Sequence, residues 1–214
     1  CIGNIREYTS KHQTPYEIIL VVNGKTGIQI PPDKTYCDKV IENEENQGYA
    51  KAVNQGIRVS QGEFIVLMNN DIKVYEGWLE DLLKSSQYAD LVAATPMYSR
   101  DEPWKRATEA NALRDQQIRV NIEETLSDFE DFSCVLVKRK VFDEIGLFDE
   151  QFFYSCEDID FKRRMNEKGL IYKTSKRVNV HHISSATDIP NKGEVLNESK
   201  AKFEAKWGTK QGLA

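Results

Sequence analysis

The chain is 214 residues long, with 29% charged residues and a formal net charge of -5. That length suits one domain burying roughly 70% of its extended surface, and the acidic balance excludes nonspecific nucleic-acid binding, which needs a basic face. The apolar runs are strand-sized, far short of the ~20 residues that a membrane-spanning helix needs, so no membrane-spanning segment is expected. Cys1, Cys37, Cys134 and Cys156 are scattered without a C-x-x-C pair, which reads as reduced, cytosolic thiols rather than a zinc or redox site. The opening on Cys1 with no signal segment reads as an N-terminally trimmed chain rather than a processed lipoprotein end.

Residues 1–12 read as a helix with Ile2 and Ile5 on one face. Residues 17–22 are a strand rich in β-branched side chains, and Asn23-Gly24 then turns the chain. A weaker strand over 39–42 leads through Asn46-Gln47-Gly48 to a helix over 49–60, with Ala52, Val53, Gly56, Ile57 and Ser60 on its packing face. Residues 63–68 form a short apolar run that reads as a strand buried on both faces. Strand, helix, strand with short connections implies an α/β fold, a mostly parallel sheet with right-handed crossovers, flanked by helices.

That strand runs out into Asn69-Asn70-Asp71. A helix follows from Gly77-Trp78-Leu79 to about 86, then a strand over 91–95 closed by Pro96. Residues 98–128 are charged and weakly periodic, and read as an insertion over the sheet edge with a helix near 107–120. A strand over 129–137, a short helix over 141–145 capped by Gly146, and an aromatic turn over 147–153 come next. A helix over 158–168, strands over 170–174 and 178–183, and a last helix over 194–207 complete the chain.

Three polar clusters could carry chemistry, and each has a structural alternative. Asn69-Asn70-Asp71 stands at the carboxyl end of a strand, where α/β sheets bind ligands, but Asn and Asp also favour turns. In Glu157-Asp158-Ile159-Asp160 an acid at a helix start could act as a general base. There Ser155 and Asp158 also match the S-x-x-D capping box, and Asp160 with Arg164 matches an i,i+4 ion pair. His181 and His182 alternate sides of a strand, so at most one should face a site. A carboxylate at a strand end with an imidazole from a neighbouring strand suits Mg²⁺ or Mn²⁺, a diphosphate supplying further oxygens.

The run from Asn46 to Ile57, then Leu67-Met68-Asn69-Asn70-Asp71 and Gly77-Trp78-Leu79, resembles the nucleotide-sugar half of family 2 glycosyltransferases, a Rossmann-like GT-A fold, and especially their rhamnosyltransferase-like branch. Gly146-Leu147-Phe148-Asp149-Glu150 with Phe152-Phe153, then Glu157-Asp158-Ile159-Asp160 and Arg164, is similar to the acceptor half, and Lys206-Trp207-Gly208 matches the tail. The resemblance implies one GT-A domain over 1–214, with a nucleotide-sugar half at 1–97, a variable insertion at 98–128 and an acceptor and catalytic half at 129–214. The family begins with a strand where this chain opens in a helix, so the sheet is expected to lack its first strand.

The resemblance also implies roles. Asp71, the last position of a D-x-D-type motif written here as Asn-Asn-Asp, would contact metal and diphosphate, with Asn69 and Asn70 beside it. Asn23, Asn46, Gly48, Lys51 and Asn54 would line the donor site. Asp158, paired with Glu157, would take the acceptor hydroxyl's proton. His182, which begins a run similar to the family's H-x-G-G-x-S/T, would complete the Mn²⁺ or Mg²⁺ site, with His181 as the alternative. The implied reaction is inverting transfer from a nucleotide-sugar donor, a UDP- or dTDP-sugar, to a glycan or lipid-linked acceptor in surface polysaccharide synthesis. Its implied place is the cytoplasm, peripheral to the inner membrane face. Val22 departs from the family's Asp against the base, and Gly27 stands where another Asp is expected. A catalytically silent nucleotide-binding or scaffold domain is the alternative reading. A nucleotidyltransferase ranks last, for want of a Gly-rich phosphate loop followed by Lys.

Overall fold

A computed structural model describes residues 1–24, 36–98, 112, 114, 117, 120–129, 131–183 and 191–208. The first half holds α1 (Ile2–Tyr8), β1 (Ile19–Asn23), β2 (Lys39–Asn43), α2 (Tyr49–Val59), β3 (Phe64–Met68), β4 (Ile72–Lys73), α3 (Trp78–Ser85) and β5 (Leu91–Tyr98). After it come β6 (Leu126–Ser127), β7 (Cys134–Lys138), α4 (Arg139–Ile145), α5 (Glu157–Glu167), β8 (Tyr172–His182) and α6 (Lys192–Trp207). Most of the insertion expected at 98–128, with its helix near 107–120, lies outside the described residues. So do Gly27 and residues 184–187 of the run that begins at His182.

The chain divides into two compact units that interleave along the sequence. The first comprises Cys1–Tyr16, Gly62–Val141 and Leu170–Thr187. Its sheet runs β3-β7-β5-β8-β4, with β6 also on β8. β7 lies antiparallel to both β3 and β5, and β5 is parallel to β8. Thus β3, β5 and β8 point one way. Leu91 to Ala94 and Cys134 to Val137 are fully buried, as central strands covered on both faces should be. β3 differs from the expected two-sided burial. Only Ile65 and Leu67 are buried, because β3 pairs with β7 alone and alternates its faces.

Two strand boundaries also differ from expectation. β5 continues through Pro96 to Tyr98, since β7 leaves it after Ala93 and the missing proline N–H can sit on the unpaired side. The strands expected at 170–174 and 178–183 are one strand, β8. Its register against β5 jumps from Ala94 opposite Ser175 to Thr95 opposite Asn179, so the polar Ser-Lys-Arg run is a bulge rather than a turn. Its Arg177 is buried, and Nη2 donates to the Val120 carbonyl at 2.8 Å. α3 packs Trp78, Leu79 and Leu82 into the same core as Val92, Leu136 and Val180. On the same helix buried Asp81 accepts from Arg114 Nε at 2.8 Å.

The second unit comprises Glu17–Gln61, Phe142–Gly169 and Asp188–Ala214. β1 and β2 pair in parallel, Ile19 opposite Lys39 through Asn23 opposite Asn43. α2 lies on β1 at Gly56, where an added Cβ would sit 3.5 Å from Val21 Cγ2. Phe142, Phe148 and Phe161 form an aromatic stack, with Phe148 and Phe161 at 4.5 Å between centroids. Phe152, Cys156 and Phe203 form a smaller core joining the 146–156 loop to α6.

Candidate active site

Asn69, Asn70 and Asp71 are a turn as well as a strand end. The Ile72 amide donates to the Asn69 carbonyl at 3.3 Å, closing a four-residue turn between β3 and β4. Asn69 N–H donates to Ser133 O and Ile183 N–H to Asp71 O, at 2.9 and 3.1 Å, so backbone bonds hold the triplet on both sides. β4, which the sequence reading passed over, pairs with the end of β8, Ile72 opposite His182 and Lys73 opposite His181. Its signal was the alternation of Ile72, Lys73 and Val74.

That pairing sets the histidines on opposite faces. His181 is buried at 2% exposure in the core. His182 turns to Asp71, with Nε2 3.3 Å from Oδ1 and both side chains mostly covered. Two donors on adjacent positions of an octahedral cation with bonds of ~2.1 Å lie about 3 Å apart. The pair therefore matches the edge of a coordination shell. Among the described residues no cluster of three or more His, Cys, Asp or Glu could hold a metal. Asn70 is exposed and Asn69 half-buried.

In the second unit the residues expected to line the donor site separate into two groups. Asn54 is fully buried, with Nδ2 donating to Phe148 O and Glu150 Oε1 at 2.8 and 3.0 Å while Oδ1 accepts from Phe148 N–H. Its amide is committed to holding the 146–150 loop, a structural role that the helix pattern alone did not disclose. Asn23 is likewise engaged: Nδ2 donates to Asn46 Oδ1 and Gly48 O, and Oδ1 accepts from Gln47 N–H and Asn43 Nδ2. Asn46 is exposed, and its Oδ1 accepts from the Gly48 amide, which can only donate, and from Asn23 Nδ2. Lys51, also exposed, reaches Gln47 Oε1 at 2.7 Å. Gly48 has φ +81°, and a Cβ there would lie 2.7 Å from Phe153 O, so only glycine lets the 46–48 loop meet the Phe153 backbone.

Glu157 and Asp158 open α5, one residue earlier than expected. The capping box is not formed. Cys156, with φ +71°, occupies the N-cap without a side-chain cap bond, and Ser155 before it has φ +68°. Two consecutive left-handed residues, neither of them glycine, mark a strained approach to the helix. Asp160 does form its ion pair, with Arg164 Nε at 2.9 Å, and is fully buried. Asp158 makes no hydrogen bond or ion pair among the described residues.

Burial, with the Asp158 charge beside it, pushes the Glu157 carboxyl up to about 7 against one backbone hydrogen bond that lowers it; among the described residues its buried Oε2 has no hydrogen-bond partner. A raised acid pKa stabilises the fold below its unfolded value of 4.5 and loses that contribution as pH rises through about 7. Glu157→Gln is therefore expected to match the parent in urea melts near pH 4 and to exceed it by up to ~3 kcal/mol near pH 8. Equal midpoints at the higher pH would show that Glu157 is not the buried acid described.

An α/β sheet with polar residues at its strand ends is the architecture of the GT-A glycosyltransferases, and two solved structures of that class share this fold. GalNAc-T7, determined with UDP, GalNAc and Mn²⁺, superposes with a TM-score of 0.64 at 14% identity; the match covers 85% of this chain and 40% of that one. TarS of S. aureus, residues 1–349, gives 0.58 at 13% identity, over 98% of this chain and 67% of that one. The glycosyl transferase family 2 model matches residues 1–146, and the chain belongs to that family. Curated relatives at 26% identity are the uncharacterized glycosyltransferase YwdF of Bacillus subtilis and the N-acetylglucosaminyl-diphospho-decaprenol L-rhamnosyltransferase of Mycobacterium tuberculosis. These matches cover 93% and 82% of this chain, and 74% and 69% of the relatives. The chain is thus a glycosyltransferase of rhamnosyltransferase-like sequence. Among the described residues no helix is long and apolar enough to cross a membrane.

Proposed function

We propose that the protein is an inverting glycosyltransferase that moves a sugar, rhamnose being the first candidate, from a UDP- or dTDP-linked donor to a hydroxyl of a glycan or lipid-linked acceptor. The observation that carries this reading is the Asp71–His182 pair, one carboxylate and one imidazole 3.3 Å apart at the end of a strand. Asp71 and His182 would hold Mn²⁺ or Mg²⁺, which when bound supplies positive charge against the departing diphosphate. Asn46 and Lys51, both exposed, offer donors for the nucleotide, whereas Asn23, Gly48 and Asn54 shape the loops that carry them. Asp158, on the first turn of α5 and with no side-chain hydrogen bond or ion pair among the described residues, takes the acceptor proton as the acceptor oxygen bonds to the anomeric carbon. The bond from that carbon to the diphosphate oxygen breaks with its electrons on the leaving group, which inverts the anomeric centre. The mycobacterial relative's name, a transferase of rhamnose onto a lipid-linked diphosphate sugar, supports the transferred sugar and the acceptor class.

A panel of UDP- and dTDP-sugars with Mn²⁺ or Mg²⁺ tests the reading, scored by nucleoside diphosphate release and by the anomeric configuration of the product in NMR. Inverted product from one donor is the expected result. No binding and no turnover across the panel would remove the function, and retained configuration would remove the mechanism.

A further inference from the structure

The last turn of α6 makes contacts that the transfer reaction does not by itself require. Lys206 Nζ lies 2.6 Å from both Asp149 Oδ2 and Asp160 Oδ1. Trp207 Nε1 donates to the same Asp160 oxygen at 2.8 Å, while Arg164 Nε takes the other oxygen. Arg164 Nη1 also donates to Ile145 O at 2.6 Å, and Lys202 Nζ donates to Gln151 O at 3.1 Å. Phe203 packs on Phe152 and Cys156 between these polar ties. Every one of these groups meets either the 145–156 loop or the first turns of α5.

The geometry has a consequence for Asp158. Residues two apart on a helix face away from each other, so anchoring buried Asp160 turns Asp158 to the other side of α5. The loop that leads into α5 passes through left-handed Ser155 and Cys156, a conformation that persists only when its surroundings enforce it. We propose that Lys206 and Trp207 are positioning residues: from the end of α6 they fix Asp149 and Asp160, and through them the loop and helix start that present Asp158. The proposal rests on the reading of Asp158 as the base. A clamp of this kind acts first on the chemical step, and reaches the 46–48 loop only indirectly, through the Phe153 backbone that Gly48 and Tyr49 meet.

Lys206→Met, Lys206→Arg and Trp207→Phe test it with two readouts. The first is iodoacetamide labelling of Cys156, buried under the clamp, followed by mass spectrometry with Cys134, buried in β7, as the control for global unfolding. The second is steady-state transfer from the donor found in the panel. In Lys206→Met, Cys156 labelling is expected to rise and kcat to fall by about 10-fold or more, since small misplacements of a reacting group cost that much. The donor KM should change by less than kcat does, and Lys206→Arg should recover most of the loss.

Trp207→Phe keeps both lysine ion pairs and removes one N–H, so a loss of about threefold in kcat is expected there, matching one weakened hydrogen bond. If Cys134 also labels quickly in Lys206→Met, that variant has unfolded and Trp207→Phe decides by the same readouts. Unchanged Cys156 labelling, or faster labelling with unchanged kcat, overturns the proposal. A parent protein that transfers no sugar overturns the glycosyltransferase reading and the positioning role with it, while labelling still decides whether α6 holds the loop.

Discussion

Asp158→Asn is expected to slow sugar transfer by about 10²–10⁴-fold, the usual contribution of a positioned general base, and to leave binding of UDP or dTDP unchanged. The expectation follows from what each acid of the Glu157-Asp158-Ile159-Asp160 run touches. Asp160 is buried and tied to Arg164, Lys206 and Trp207; changing it would strand buried partners and unsettle the fold. Glu157 is pushed up to about 7 by burial, a value that would suit a general base, but its Oε2 is buried away from an incoming acceptor. Among the described residues, Asp158 combines a helix-start position with a carboxylate that makes no hydrogen bond or ion pair. Asparagine keeps its shape, so the substitution should cost little stability. The measurement is transfer rate at saturating donor, with calorimetry of nucleotide binding as the control. A variant retaining more than about a tenth of parent activity would move the base elsewhere.

Where sequence reading succeeded, the signal was local. The run over 63–68 needed only apolar side chains and a bounding Gly62 to read as a strand, and Gly48 needed only its place before a helix. Where it fell short, the information lay in pairing. Cys134 to Val137 is apolar at every position, and such a run reads the same in either direction; nothing local says that β7 reverses between β3 and β5. Ser175-Lys176-Arg177 looks like a turn because its polarity is visible and its partners, Val120 and Ser85, are distant in the chain. Asn54 is the same lesson at the candidate site. In a helix bearing Asn46, Gly48 and Lys51 nearby it reads as one more donor contact, yet its amide is spent on Phe148, far along the sequence. That His182 rather than His181 lies beside Asp71 was not legible locally: it required β4, two residues long, to set which face each histidine takes.

Asp71→Ala is expected to weaken Mn²⁺-dependent binding of UDP by about 100-fold or more, at or beyond the upper end of what loss of a supporting metal contact costs, with His182→Ala losing about 10–100-fold. The turn itself should survive, because it is closed by the Asn69 and Asp71 carbonyls and not by the Asp71 carboxylate. Asn69 and Asn70 cannot compensate; an amide oxygen carries no formal charge. A site with a single carboxylate and a single imidazole has few protein donors for a hard divalent cation, which takes six or more oxygens. Metal alone should therefore bind the donor-free protein weakly, at about millimolar concentration, and tighten sharply once a diphosphate fills the open positions. Calorimetry of Mn²⁺ into protein with and without UDP, repeated on Asp71→Asn to separate charge from shape, reads each part. Tight Mn²⁺ binding without UDP, or an Asp71→Asn variant that binds UDP and Mn²⁺ as the parent does, would mean that the cation is held by other groups.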